Sequence, residues 1–368
     1  MRILHTADWH IGRTLAGFDL LPVQQRSFAA LRQVAHDEHV DGVIIAGDLY
    51  DRGLAAESAV NTVNSMLRTL NREDGLPLLV ISGNHDSAPR LATGSEWFSS
   101  TKFYLHTRLA EAFEPVTLGD TQFFLLPYFE PAMARAYFED DNLTNIAAAM
   151  APVIDRMVAQ FAPDKRHVLV AHFFAAGSTH SGSETPVNVG GLDAVPLDLL
   201  APFDYVALGH LHNRHAVNAD RIQYAGSLVK FDVSETEQRK GVYILDTETM
   251  TRKFIEIPQT PDFIHIRGSF AEIMDPDFYH QVATDSFVQI TLTDTEVIPD
   301  LMIQLRQVYP YCTGVDRAHG VQTSVTDKPV DRHLDPMALL AQFYADTNGT
   351  ELTSEQRQWA QQALADVQ

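Results

Sequence analysis

Five short segments of this chain carry the residue types of metal ligands: Asp8-Trp9-His10, Gly47-Asp48, Gly83-Asn84-His85-Asp86, His172 and Gly209-His210-Leu211-His212. Carboxylate, amide oxygen and imidazole together make a mixed oxygen and nitrogen set, which suits Mn, Fe or Zn better than Ca. Structural zinc would want thiolates, and Cys312 is the only cysteine. One cation cannot use all these groups. Two cations about 3.5–4 Å apart can, if one carboxylate bridges them. Asp48 is the candidate bridge, because it sits between the other ligands in chain order. Such a pair of ions acidifies a water for attack on a phosphate ester. The departing alkoxide then needs a proton, and His85, beside Asn84, is the candidate general acid. Asp51 could keep that imidazole charged. Asp86 reads as a structural carboxylate that caps the turn or holds a ligand.

Each segment follows a short, mostly apolar run, at residues 2–7, 43–46, 78–82, 167–171 and 205–208. A strand buried on both faces reads this way. Ligands at the carboxyl ends of such strands meet in the crevice where α/β sheets bind substrates. Residues 24–36 and 58–70 have helical apolar spacing, and 123–126, 223–225 and 242–245 read as further strands. Alternating strands and helices predict an α/β unit over residues 1–255, with a largely parallel sheet covered on both faces. Residues 178–191 form a Gly/Ser/Thr-rich loop that either borders the substrate or is a solvated connector, with His180 incidental.

The texture then changes. Strands at 263–266 and 287–292 and a helix at 299–309 predict a small α+β domain over 256–322, and 323–334 reads as a linker. Residues 335–368 form a third unit. Asp335-Pro336 opens a helix with a cap and a first-turn proline. Met337, Leu340, Phe343 and Tyr344 follow at helical spacing, and Asn348-Gly349 stops them. Thr353 and Gln356 make a capping box for a second helix bearing Trp359, Ala363, Leu364 and Val367. These stripes either dock on their own chain or bind a partner helix.

A length of 368 residues favours more than one domain, and 45% hydrophobic residues can fill a sizeable core. The lone Cys312 excludes an internal disulfide framework and reads as a small buried hydrophobe. No apolar run is long enough to cross a bilayer, and the chain enters a strand without a leader, so a soluble cytoplasmic protein is expected. The net charge of −21 works against tight nucleic-acid binding by the isolated chain. Two divalent ions would reverse the sign locally, and a basic partner could supply the rest.

These motifs resemble the calcineurin-like metallophosphoesterases. Ala7-Asp8-Trp9-His10-Ile11-Gly12, Ala46-Gly47-Asp48-Leu49-Tyr50-Asp51 and Ser82-Gly83-Asn84-His85-Asp86-Ser87 resemble more narrowly the nuclease subunits of bacterial SbcCD complexes. These are relatives of the eukaryotic double-strand-break repair nuclease, and the likeness runs nearly end to end. It implies a layered α/β sandwich with helices flanking the sheets, a small α+β capping domain and a C-terminal helix pair. It assigns Asp8, His10, Asp48 and His212 to one ion, and Asp48, Asn84, His172 and His210 to the other. It further implies two Mn²⁺ ions, with Mg²⁺, Fe or Zn as alternatives. The implied activity is double-strand exonuclease and single-strand and hairpin endonuclease, in DNA repair and recombination. The implied assembly is a homodimer with an SbcC-type, SMC-like ATPase, whose coiled coil the C-terminal helices bind.

Archaeal relatives have a second active-site histidine where this chain has Asp51. Residues 47–53 instead match the Gly-Asp-x-x-Asp-Arg-Gly string of protein phosphatases, whose second aspartate pairs with the histidine of Gly-Asn-His. An Asp51–His85 pair is therefore expected. The same string keeps open a phosphomonoesterase or cyclic-nucleotide phosphodiesterase. A regulatory protein with a vestigial site is a third reading, opposed by the intact ligand set.

Overall fold

The apolar runs become the central strands of two sheets in a computed structural model of the chain, which describes residues 1–179, 181–184, 194–318, 336–348 and 351–365. In chain order the strands are β1 (Arg2–Thr6), β2 (Thr14–Leu15), β3 (Phe18–Asp19), β4 (Gly42–Ala46), β5 (Leu78–Ile81), β6 (Phe103–His106), β7 (Val116–Leu118) and β8 (Thr121–Leu126). There follow β9 (Arg166–His172), β10 (Tyr205–Gly209), β11 (Ile222–Tyr224), β12 (Gly241–Asp246), β13 (Thr251–Glu256), β14 (Phe263–Gly268), β15 (Phe287–Leu292) and β16 (Cys312–Arg317). The first sheet runs β13-β12-β1-β4-β5-β6 and the second β11-β10-β9-β8-β7. β1, β4, β5 and β6 are mutually parallel, as are β8, β9, β10 and β11, while β12 pairs antiparallel with both β1 and β13, and β7 pairs antiparallel with β8.

Where sequence alternation suggests one sheet, the chain folds into two that stack face to face. Each strand therefore shows one apolar face to the other sheet and one to helices. In β4, Ile44 and Ala46 join Ile3, Leu79, Phe123, Val168 and Tyr205 between the sheets. Val43 and Ile45 instead pack with Phe28, Leu31, Val63 and Met66 from helices Leu21–Asp37 and Glu57–Arg68. On the far side, Phe124, Leu169 and Val206 pack with Met150, Val153 and Met157 of helix Ile146–Val158. The result is a helix–sheet–sheet–helix sandwich.

The first helix starts earlier than its apolar spacing indicates, because Pro22 is preset for a first helical turn. The second runs into a π-helical turn, Thr69–Glu73. Helix Ile146–Val158 is new relative to the sequence reading; the Asn145 side chain caps it by accepting from the Ala148 N–H at 2.9 Å.

β14, β15 and β16 form a parallel three-stranded sheet around a separate core of Val288, Ile290, Leu292, Leu305, Tyr309 and buried Cys312. Helix Leu301–Val308 covers it. Phe263 and Phe287 also pack with Leu15, Leu20, Val23, Val229 and Phe231, so this sheet joins one compact unit of residues 1–294 and 298–319. A second unit contains 295–297 and 320–368. Its helices Pro336–Asn348 and Ser354–Ala365 are joined by Gln356 Nε2 donating to the Tyr344 hydroxyl at 3.1 Å. The expected capping box is present: Thr353 N–H donates to Gln356 Oε1 at 2.9 Å, and Gln356 N–H to Thr353 Oγ1 at 3.3 Å. The 323–334 linker, Asp335, Gly349, Val367 and His180 lie outside the described residues. No helix among the described residues is long and apolar enough to cross a membrane.

Phe123 lies fully buried between the sheets. Phe123→Ala is expected to lower the unfolding free energy by about 3–5 kcal/mol, read by urea denaturation. A loss below about 1 kcal/mol would show that this layer is not the core.

Candidate metal centre

Parallel pairing brings Asp8, Asp48 and Asn84 off the same end of the first sheet, and His172 and His210 off the matching end of the second. The loops after β1 and β4 stay paired beyond their strands: Asp8 N–H donates to Gly47 O at 3.1 Å and His10 N–H to Asp48 O at 3.0 Å. Asp8, His10, Asp48 and His210 all have positive φ, of 52°, 43°, 54° and 93°. Each such residue costs on the order of 1–3 kcal/mol, and such strain persists where surrounding structure imposes it. Two motif glycines are needed for close approach. A Cβ on Gly83 would lie 2.1 Å from Asp48 Oδ1, and one on Gly209 would lie 2.0 Å from Ala46 O.

All seven expected ligand residues converge. His10 Nε2 lies 3.1 Å from His212 Nε2. Asn84 Oδ1 lies 3.0 Å from both His172 Nε2 and His210 Nδ1. Asp48 Oδ2 stands between the two groups, 3.5 Å from His10 Nε2 and 3.3 Å from His172 Nε2. Asp8 falls within 4.8 Å of His10 and His212 in one cluster, and of Asp48 and His172 in another. Ligands on a common cation with bonds of ~2.0–2.2 Å sit about 3–3.5 Å apart, so this spacing fits two cations.

The electrostatics fit them too. Asp8, His10, Asp48, His172 and His212 are at most 2% exposed. Burial raises the Asp8 carboxyl to about 7 against the pull of His172 and His212. Burial also opposes the charge on Asp48, but His172, His10 and His85 hold its carboxyl below the usual range. Burial pushes His10 down, and His210 to about 3. It works against the His172 charge as well, yet adjacent Asp48 lifts that imidazole to about 9. Asp8 Oδ2 and His10 Nδ1 are buried without a hydrogen-bond partner among the described residues. An acceptor left bare beside a carboxylate that burial drives towards protonation is the signature of a site short of positive charge. His172 Nδ1 faces Ala46 O at 2.8 Å. A carbonyl accepts only from N–H, so Nε2 is the nitrogen left for a cation.

The expected Asp51–His85 partnership takes a different form. His85 Nδ1 meets the backbone carbonyl of Asp51 at 2.8 Å. The Asp51 carboxylate lies within 4.8 Å of His85 and His10 ring nitrogens, 3.7 Å from Arg13 and 3.4 Å from Arg52. Asp86 pins loops together, its carboxylate accepting from Leu49, Tyr50 and Gly83 N–H groups at 3.2, 3.0 and 2.9 Å.

Sequence reasoning missed the groups behind His212. Its Nδ1 lies 2.5 Å from Ser183 Oγ and 3.4 Å from Glu235 Oε1, and its N–H donates to Glu184 at 2.7 Å. Lys240 Nζ lies 2.7 Å from Glu235 Oε2 and donates to His212 O at 2.9 Å. Residues 181–184 of the glycine-rich loop thus border the site; 185–191 lie outside the described residues. Burial opposes the Glu235 charge, but Lys240 and His212 keep its carboxyl below the usual range, while burial lowers Lys240. Nothing in the polar stretch 234–240 distinguishes these two residues from a solvated turn. Lys240→Met should strand the Glu235 charge and cost about 3–5 kcal/mol in urea denaturation. An unchanged midpoint would remove the pair from the framework of the site.

A family model described as calcineurin-like phosphoesterase matches residues 1–214. A second, described as type 5 capsule protein repressor C-terminal domain, matches residues 259–348. SbcD, the D component of the nuclease SbcCD, from Staphylococcus epidermidis is 30% identical over 359 residues, 97% of this chain and 96% of that one. Its namesake from Staphylococcus saprophyticus is 31% identical over 362 residues, with the same coverages. A solved dimetal phosphatase from Danio rerio is 14% identical with a TM-score of 0.43, covering 70% of this chain and 97% of that one. On the two sequence matches and the first family model, the chain belongs to the calcineurin-like phosphoesterases and, within them, to the SbcD nuclease family.

Proposed function

We propose that this phosphoesterase is a manganese-dependent DNA nuclease that cuts double-strand ends, single strands and hairpins in DNA repair and recombination. On this reading it works in the cytoplasm as a homodimer with an SMC-like ATPase. Residues 1–255 carry the chemistry, 256–322 cap it and 335–368 bind the partner's coiled coil. The supporting observation is Asp48 Oδ2, set between the His10–His212 pair and the Asn84–His172–His210 group. Asp8, His10, Asp48 and His212 would hold one ion, and Asp48, Asn84, His172 and His210 the other. The names of the staphylococcal relatives favour a nuclease over a phosphomonoesterase. So do the C-terminal helices, where Leu339, Leu340 and Trp359 are 43%, 39% and 61% exposed. A small-substrate phosphatase has no use for such surfaces.

When bound, two such cations supply acidity to a water and positive charge to a phosphate. The chain's residues do the rest. Because Asp51 O fixes the Nδ1 proton of His85, Nε2 is the nitrogen that gains and releases a proton for the leaving oxygen. The Asp51 carboxylate adds negative charge beside that ring. Arg13 is held by Ser183 O at 2.9 Å and stands over the Phe231 ring at 4.7 Å. With Arg52 it lines an open groove of about 620 Å³ that includes His85. These two cations offer contacts for phosphates flanking the cut, despite the acidic whole.

His85→Gln should slow cleavage of a DNA hairpin by about 10²-fold or more while leaving manganese and ATPase binding intact. Unchanged cleavage would defeat the acid assignment. Turnover of p-nitrophenyl phosphate with the hairpin left intact would instead favour a phosphomonoesterase. Manganese binding should also release protons, since a ligating imidazole must be neutral and Asp8 ionised. Below about 9 His172 carries a proton to be displaced, and near 7 Asp8 carries part of another. Affinity should therefore rise with pH between about 6 and 8, by about tenfold per unit for each proton displaced. Calorimetry in buffers of different ionisation heat measures this, and a pH-independent affinity would contradict it.

A further inference from the structure

A second cavity, of about 550 Å³, opens beside Asn84, His172 and His210 and shares only Asn84 with the groove that holds His85. Its volume falls in the range of small-ligand pockets, roughly 300–1,000 Å³. The loop after β8 supplies half-buried Tyr128 and buried Phe129, and the end of β9 supplies buried Phe173 and half-buried Phe174. Polar groups at the same cavity come from Glu130, Arg135 and Thr144. The Arg135 guanidinium is steadied by Leu143 O at 3.0 Å.

A phosphodiester has two ester arms. With His85 as the acid, the oxygen of the leaving arm lies towards the arginine-lined groove. The other arm also starts at the phosphate, and the cavity is lined by Asn84, His172 and His210, which would hold one of the cations. Aromatic walls with a few carboxylate, guanidinium and hydroxyl groups suit a flat ring with a polar edge. A base held in a duplex stack is not free to turn into a pocket of this size, whereas an unpaired one is.

We infer that this cavity is a nucleobase subsite, taking the unpaired base of the nucleotide on the non-leaving side of the scissile phosphate. This inference rests on the phosphodiesterase reading and adds to it a preference for nucleotides that leave the stack.

Two chromogenic diesters separate the claims, thymidine 5′-(p-nitrophenyl phosphate) and ethyl p-nitrophenyl phosphate. They share a leaving group and differ only in the other arm. With the full chain and manganese, kcat/KM for the thymidine ester should exceed that for the ethyl ester by roughly 10- to 100-fold, as expected for one stacked base. In Phe174→Ala the ratio should fall to within about threefold of unity if the ring supplies the stacking. Phe174→Leu, which keeps the apolar packing and removes only the ring, should lower the ratio in the same direction. Equal kcat/KM for both esters in the wild type would overturn the subsite and leave the phosphodiesterase reading standing. So would a ratio unchanged in both variants. Hydrolysis of neither ester would overturn that reading and the subsite with it.

Discussion

The structure depends on holding buried anions and imidazoles within about 3–3.5 Å of one another, a spacing that is costly unless positive charge is shared among them. Asp48 is the hinge of that arrangement. Its Oδ2 stands 3.5 Å from His10 Nε2 and 3.3 Å from His172 Nε2, while its Oδ1 accepts from the His85 N–H at 2.9 Å. Two parallel sheets meeting face to face solve the geometric part of the problem. Loops at one end of each carry the candidate ligands to a common point. The left-handed backbone at Asp8, His10, Asp48 and His210 is what remains of the cost.

Rigidity around the candidate ligands comes from the groups that hydrogen-bond to them. Ala46 O sets the His172 ring, Ser183 and Glu235 set His212, and Gln24 Nε2 holds the His10 carbonyl at 2.8 Å from a helix. Asp86 ties the loop after β4 to the loop after β5. Each contact fixes a ring or a backbone turn in the only orientation compatible with its neighbours. On the proposed reading, the chain meets a polyanion despite its acidic whole through Arg13 and Arg52, which line the groove beside His85.

The candidate ligands were legible in the sequence because their types are rare together and each follows a run that is apolar on both faces. That same double-sided pattern did not divide the strands into two sheets, since a strand facing a sheet and a helix reads like one facing two helices; the layered sandwich came from the family resemblance and is what the chain forms. Helix Ile146–Val158 escaped notice with an alanine run and Pro152 obscuring its apolar stripe. Glu235 and Lys240 were illegible for a different reason. A buried ion pair uses the same residue types as a solvated turn, and only tertiary packing separates the two. Asp51 was read for its carboxylate, whereas the hydrogen bond to His85 Nδ1 comes from its backbone carbonyl, which no residue type announces.

The most direct test is anomalous scattering at the manganese edge from crystals soaked to saturation. The account predicts two peaks about 3.5–4 Å apart, both within bonding distance of the Asp48 carboxylate, one beside His10 and His212 and the other beside Asn84, His172 and His210. A single peak, or peaks that leave Asp48 uncoordinated, would contradict it.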